Sequence, residues 1–192
     1  QHSNSFKQSK RLLGKQNQQY DGGIVVLVPD EGSVKQLAIE GYESSEDLHI
    51  TLAYIYYAGK KEIEWMIEIE NVIVGMWYPD SWVKVSTLDR FYKVDDGARD
   101  AIVAKVHLGD ELIDFRNELV KRIEEKGLSV SKDHSFNPHI TLAYVDTESP
   151  FPSVELPKLD IDCTIQIWSG DHRVLFDAGD FQQTIGNSTQ GV

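Results

Sequence analysis

The hexapeptide His-Ile-Thr-Leu-Ala-Tyr occurs at His49–Tyr54 and again, unchanged, at His139–Tyr144. Six identical residues in a row do not recur by accident in a chain of 192. The repeat constrains the fold before any other feature does. A diverged duplication most simply folds into two halves related by an approximate two-fold axis. In a strand, residues i and i+2 face the same way. His49, Thr51 and Ala53 are thus expected on one face, and Ile50, Leu52 and Tyr54 on the other. The same alternation sets His139, Thr141 and Ala143 against Ile140, Leu142 and Tyr144. The apolar face belongs against helices, which leaves the histidine and hydroxyl face for a cleft.

The flanking pattern supports two similar halves. Ile24–Val28 is apolar and β-branched between Gly22-Gly23 and Pro29, and reads as a buried strand. Asp30 or Ser33 is the candidate cap of a helix reaching about Glu40, stopped by Gly41. Leu48–Tyr57 is the first motif strand. Lys60–Val72 spaces Ile63, Met66, Ile67 and Ile69 as an amphipathic helix. Trp82–Phe91 reads as a strand, and the turn Asp95-Asp-Gly97 as the boundary between lobes, near 95–100. The second half opens with a strand at Ala101–Leu108. A helix capped by Asp110 follows through Leu112, Phe115, Leu119 and Ile123 to Gly127. Pro138 precedes the second motif strand, and Leu159–Trp168 with Arg173–Phe176 reads as a hairpin. The expected class is α+β: one bilobal domain over 20–181, with antiparallel sheets lining a central cleft. A polar arm at 1–19 and a polar tail at 182–192 flank it. The arm lacks the apolar core of a signal peptide.

Composition narrows the partners. At 41% hydrophobic the chain has enough apolar residues for a sizeable core, and no run of apolar residues is long enough to span a membrane. The formal net charge of -12 opposes long-range attraction to duplex DNA or long RNA, but not a small anion held in a locally positive cleft. The single cysteine, Cys163, excludes an internal disulfide and fits a reducing, cytoplasmic setting. It reads as structural.

The motif residues suit acid–base chemistry on a phosphodiester. Histidine ionises nearest neutrality. Two imidazoles on opposite sides of one phosphorus serve in-line transfer: one takes the proton of the attacking oxygen, the other protonates the leaving oxygen. Thr51 and Thr141 can donate hydrogen bonds to the non-bridging oxygens, where charge grows. The scheme requires no cofactor and no metal. A zinc site would want further ligands, and Cys163, His107, His134 and His172 show no ligand spacing. Inert motifs in a duplicated fold are the blander alternative, at odds with the unchanged polar positions.

At these residues the chain resembles the 2H phosphoesterase superfamily, the LigT-like group. Its signature is a pair of His-x-Thr/Ser motifs, here His49-Ile-Thr51 and Asn137-Pro-His139-Ile-Thr141. The resemblance runs from about Gly22 to Phe176. It implies a bilobal α+β fold, His49 and His139 as the acid–base pair, and Thr51 and Thr141 gripping phosphate. It implies action on small or terminal phosphodiesters in which a ribose 2′-hydroxyl or a cyclic phosphate takes part. Many relatives carry a basic residue shortly after the second motif, where this chain has Tyr144 and Val145. The segments Gly22–Pro29 and Asp47–Tyr54 also resemble a phage-encoded branch. Some of its members cleave the cyclic di- or trinucleotide signals of bacterial immunity (anti-CBASS nucleases). That resemblance implies a small cyclic oligonucleotide, met in the host cytoplasm, as partner. The alternatives are an RNA end-processing enzyme, whether 2′,3′-cyclic phosphodiesterase or 2′–5′ ligase, and a nucleotide-binding sensor without turnover.

Further residues are candidates for holding substrate. Tyr20, Trp77, Trp82 and Trp168 can stack on bases, with Trp168 the strongest, and Tyr144 lies just past the second motif. Lys84, Arg90, Lys105 and Arg173 can supply positive potential. Lys105 is conspicuous in a strand otherwise rich in alanine and valine. By period two it shares a face with Ala101, Val103 and His107.

Overall fold

The computed structural model describes residues 22–56, 61–94, 97–132 and 135–181. Among these, nine strands form one sheet: β1 (Gly22–Pro29), β2 (Ile50–Tyr56), β3 (Val83–Val94), β4 (Arg99–Leu108), β5 (Ser129–Val130), β6 (His139–Asp146), β7 (Asp160–Ile161), β8 (Cys163–Ser169) and β9 (His172–Leu175). The order is β7-β3-β4-β6-β2-β1-β8-β9, with β5 on the edge of β2, and every pairing is antiparallel. Three helices, α1 (Glu31–Leu37), α2 (Glu62–Val74) and α3 (Asp110–Glu125), contribute Val34, Leu37, Trp65, Ile69, Leu112, Phe115 and Leu119 to the main core. They meet there the face of the sheet that carries Val25, Leu27, Ile50, Leu52, Ala104 and Ile140. Burial of that apolar face holds the layers together. No described helix is long and apolar enough to cross a membrane.

The duplication is visible in the pairing. β1 pairs β2 with Ile24↔Tyr54, Val25↔Ala53, Val26↔Thr51 and Leu27↔Ile50. β4 pairs β6 with Ala101↔Tyr144, Ile102↔Ala143, Val103↔Thr141 and Ala104↔Ile140. The two registers are the same, so β1, α1 and β2 correspond to β4, α3 and β6. The motif strands then meet each other through one pair, Ile50↔Ile140. These are equivalent residues of the two repeats, and equivalents that pair with one another lie on a local two-fold axis. Beyond that pair the strands part, and β5 takes the edge of β2 instead, with Ile55↔Val130.

Several expectations need correction. The stretch near 95–100 is not a lobe boundary. The strands on either side of it, β3 and β4, pair antiparallel in one half of the sheet, with Val94 opposite Arg99. The last strands return to the first half, β8 pairing on β1 and β9 on β8, so that half draws on both ends of the chain while the other is built from β3, β4, β6 and β7. Helix α1 stops at Leu37, where Ala38 is already extended, because Val34 and Leu37 complete its buried face. Its cap is Asp30, which accepts the Ser33 N–H at 2.9 Å and the Ser33 hydroxyl at 2.7 Å. Helix α3 is capped by Gly109 rather than Asp110. A Cβ there would strike the Ser81 hydroxyl and the Trp82 indole, so packing excludes a capping side chain.

Arg90 is not a free cation for substrate. By register it lies beside Ile102, which shares a face of β4 with the core residues Ala104 and Val106. Its Nε donates to Asp100 Oδ2 at 2.7 Å, and its Nη atoms donate to the carbonyls of Ser149 at 2.8 Å and Asp146 at 3.1 Å. Asp100 also accepts the Lys93 N–H at 2.8 Å. The carboxyl stays below its ordinary range: the hydrogen bonds from Lys93 and Arg90 and the guanidinium charge outweigh desolvation, the largest single effect, which pushes the other way. Breaking a buried pair strands the remaining charge. Arg90→Ala should therefore lower the urea midpoint by about 1 M or more, while the folded fraction keeps its turnover. Loss of turnover without loss of stability would return Arg90 to the site.

Candidate active site

Simple alternation fails in both motif strands, and in the same way. Val25 pairs with Ala53 and Val26 with Thr51, which leaves Leu52 unpaired. Ile102 pairs with Ala143 and Val103 with Thr141, which leaves Leu142 unpaired. Each is a β-bulge, in which one extra residue shifts all later side chains to the other face. Ala53 and Ile55 therefore join Ile50 and Leu52 in the core. Tyr54 and Tyr56 turn to the open face and pack with Ile24, Val26 and Trp168. The expected face of His49, Thr51 and Ala53 is in fact His49, Thr51 and Tyr54, and the second motif likewise presents His139, Thr141 and Tyr144. Hydroxyl-to-hydroxyl hydrogen bonds join Tyr54 to Thr51 and Tyr144 to Thr141. Burial, the larger effect, raises both phenols well above their ordinary range, so both remain protonated donors.

The two imidazoles are held alike. His49 Nδ1 lies 2.7 Å from the carbonyl oxygen of Asp47, and His139 Nδ1 lies 2.7 Å from that of Asn137. A carbonyl only accepts, so Nδ1 carries the proton and donates in each ring. That leaves Nε2 as the titrating atom at both sites. Extending the Ile50↔Ile140 register by one residue sets His49 beside Thr141 and His139 beside Thr51 on the same face. Each histidine is thus flanked by the hydroxyl of the other repeat.

Their surroundings differ. His49 is 7% exposed and packs on Trp168, ring centroids 4.7 Å apart. The Arg173 guanidinium covers the same indole at 3.9 Å. Burial, with the charges of His139 and Arg173, drives the His49 pKa down to about 4 against the raising effect of the Asp47 carbonyl. His139 is half-buried against the edge of Phe91 at 4.8 Å. Burial and the Lys105 charge lower it too, opposed by the Asn137 carbonyl.

Thr51, His139, Thr141, Tyr54 and Tyr144 line a cleft of about 520 Å³, within the ~300–1,000 Å³ range of small-ligand sites. Phe91, Tyr92 and Phe136 add aromatic walls, and Arg116 of α3 joins them. The expected residues fall out as follows. Thr51, His139, Thr141 and Tyr144 come together in this cleft, with His49 beside it. Trp168 is no open stacking platform. It is fully buried and backs His49, because β8 pairs on β1 rather than in the second half. Lys105 pairs with His139 across β4 and β6 and lines a neighbouring recess with His107 and Asn137. Tyr20 lies outside the described residues, as does His134. Trp77 and Trp82 are exposed and line neither cavity. Burial raises the Cys163 thiol to about 12, so it is no nucleophile. Sequence reasoning missed Tyr54, Phe91 and Arg116. For Tyr54 the signal existed, since the duplication keeps tyrosine at the sixth position as faithfully as histidine at the first.

Comparison with known proteins bears on the family and the fold. The family model for the 2′-5′ RNA ligase superfamily matches residues 33–164. Among solved structures, E. coli LigT in its apo form is similar at a TM-score of 0.52 and 14% identity, over 82% of this chain and 95% of that one. A protein described as a phosphoesterase gives 0.50 and 14%, over 82% and 96%. E. coli LigT complexed with 3′-AMP gives 0.50 and 14%, over 82% and 95%. At such identity these structures show a shared fold. No curated protein matches the sequence.

Both rings should be observable directly. In 15N NMR titration, His49 and His139 should be Nδ1–H tautomers at neutral pH. His49 should titrate near pH 4 and His139 below 6.5. A His49 midpoint at or above 6.5 would contradict the burial argument.

Proposed function

The chain belongs to the 2′-5′ RNA ligase superfamily and is a 2H phosphoesterase, and on that premise we propose that its substrate is a small cyclic oligonucleotide. The enzyme would open the 3′–5′ (or 2′–5′) linkage of such a signal, as a phage does to evade cyclic-nucleotide immunity. The observation that carries the catalytic part is the pair of carbonyl-locked imidazoles astride the Ile50↔Ile140 axis. What supports the substrate is the cleft: about 520 Å³, walled by tyrosine and phenylalanine, in a chain of net charge -12. Such a site suits a compact ligand with bases to stack and disfavours a long polyanion.

The chemistry follows from the two environments. The more depressed histidine, His49, is neutral and acts as base. Its Nε2 takes the proton of the ribose 2′-hydroxyl. The 2′-oxygen attacks phosphorus and forms the new P–O bond. The bond to the leaving 5′-oxygen breaks, and His139 Nε2 delivers a proton to that oxygen. The products are a 2′,3′-cyclic phosphate and a 5′-hydroxyl. Thr51 and Thr141, each oriented by its tyrosine, donate to the non-bridging oxygens. An approaching phosphate anion raises the affinity of both imidazoles for protons, and so favours the one charged ring the reaction needs.

A second reading is an RNA end-processing enzyme, a 2′,3′-cyclic phosphodiesterase or 2′–5′ ligase. The family's description favours it, as does a LigT structure complexed with 3′-AMP. A sensor without turnover is the third.

Chromatography of cyclic di- and trinucleotides, 2′–5′ and 3′–5′ RNA, and a 2′,3′-cyclic nucleotide separates the three. Cleavage of the cyclic oligonucleotides alone is expected. Turnover confined to RNA ends would favour the second reading, and none the third. His49→Ala or His139→Ala should each lower kcat/KM by about 10²–10⁴-fold without unfolding the chain. Excess EDTA should leave the rate unchanged, and a loss restored by zinc would overturn the metal-free scheme.

The pH profile carries its own sign. A neutral His49 is required, so kcat/KM should fall as pH drops through about 4. A protonated His139 is required, so it should also fall as pH rises through the depressed His139 value, below 6.5. A kcat/KM that is flat from pH 5 to 9 would contradict this assignment.

A further inference from the structure

A phosphodiester anion entering this cleft meets two threonines, two tyrosines and the His139 imidazole, with the buried His49 beside them. None of these is a fixed cation. The basic residues nearby are mostly committed elsewhere. Arg90 lies on the opposite face with Asp100. Arg173 contacts Asp47 at 3.4 Å and covers Trp168. Arg99 stacks over Tyr144 at 5.0 Å, and Lys105 faces the neighbouring recess.

Arg116 is different. It belongs to α3, on the helix side of the sheet, yet it lines the catalytic cleft together with Thr51 and Thr141. The way through is the gap where β2 and β6 part beyond Ile50↔Ile140. Its Nε donates to the carbonyl of Leu52 at 3.0 Å, the bulge residue next to Thr51. Its guanidinium lies over Phe136 at 4.3 Å, which fixes the plane of the fork. Among the described residues no carboxylate pairs with it, and its remaining side-chain hydrogen bond is a long one of 3.5 Å from Nη1 to Asn117. A half-buried guanidinium stays charged, and one without a carboxylate partner, aimed into a cleft, is an anion site.

We infer that Arg116 is a phosphate-contacting residue of the active site, whose Nη atoms hold a non-bridging oxygen of the reacting phosphodiester from the floor of the cleft. The inference rests on the phosphodiesterase reading for its role in turnover, but not for its role in binding phosphate. The fork makes Arg116 selective between the two non-bridging oxygens, because Nε is anchored to one repeat's bulge and not the other's. The threonines alone, related by the axis, would not discriminate so strongly.

Inorganic phosphate binding and phosphorothioate kinetics test it. Arg116→Gln should weaken phosphate binding by about tenfold or more and lower kcat/KM by about 10²-fold. Wild type should prefer one phosphorothioate diastereomer, and R116Q should lose that preference, which a merely structural change would not do. Should R116Q fail to fold, Arg116→Lys carries the test. It keeps the charge but not the fork, so phosphate affinity should persist within a few-fold while the preference disappears. Unchanged phosphate affinity and an intact preference in a folded variant would overturn the inference and leave the phosphodiesterase reading standing. Absence of any turnover by wild type would sink that reading alone, with phosphate binding still deciding the role of Arg116.

Discussion

The antiparallel pairing of Ile50 with Ile140 is the constraint on which the rest of the structure depends. It joins the two repeats at equivalent positions, so whatever one motif presents on the open face the other presents across the axis. It also makes the histidines diagonal neighbours on the open face, each opposite the other repeat's threonine. One pair suffices because both isoleucines are fully buried in a core common to both halves. A longer ladder between β2 and β6 would close the sheet and remove the cleft. The strands instead diverge, β5 satisfies the edge of β2, and the gap becomes the floor of the site.

Symmetry supplies the parts, and departure from symmetry gives them different surroundings. Both imidazoles donate Nδ1–H to a carbonyl two residues earlier, and both rest on an aromatic ring. The rings differ in what lies behind them. Trp168 and Arg173 seal His49 from solvent, whereas Phe91 leaves His139 half-buried. The proposed mechanism needs an acid and a base drawn from one residue type, and so environments that differ. Divergence of the flanking strands makes them differ, since β8 and β9 flank the first motif and β3 the second.

Much of this was legible in the sequence, and the remainder was hidden for identifiable reasons. The repeat announced the two halves and the shared open face of its histidines and threonines. Period-two reasoning placed Lys105 with Val103 and Ala101, on the face that the β4–β6 register gives to His139. The same reasoning misplaced Tyr54 and Ala53, because an extra residue in a strand leaves no mark in a hydrophobic pattern where Leu52 and Ala53 are both apolar. Arg116 escaped because it sits on an amphipathic helix, where an arginine ordinarily means a solvated face. Only the parting of two distant strands gives it access. Arg90 looked available because its partner Asp100 lies across a hairpin, and Trp168 because the return of β8 to β1 is a long-range choice. Pairings between segments far apart in sequence decide all of these, and local pattern does not encode them.

The proposed mechanism places one phosphorus between the Nε2 atoms of His49 and His139. A crystal structure with a ribonucleoside vanadate, whose five-coordinate metal centre imitates in-line transfer, addresses it most directly. The vanadium is expected on the Ile50–Ile140 axis, with one apical oxygen within hydrogen-bond reach of each Nε2 and the equatorial oxygens on Thr51 and Thr141. Vanadate bound by one histidine alone, or bound away from both, would contradict it.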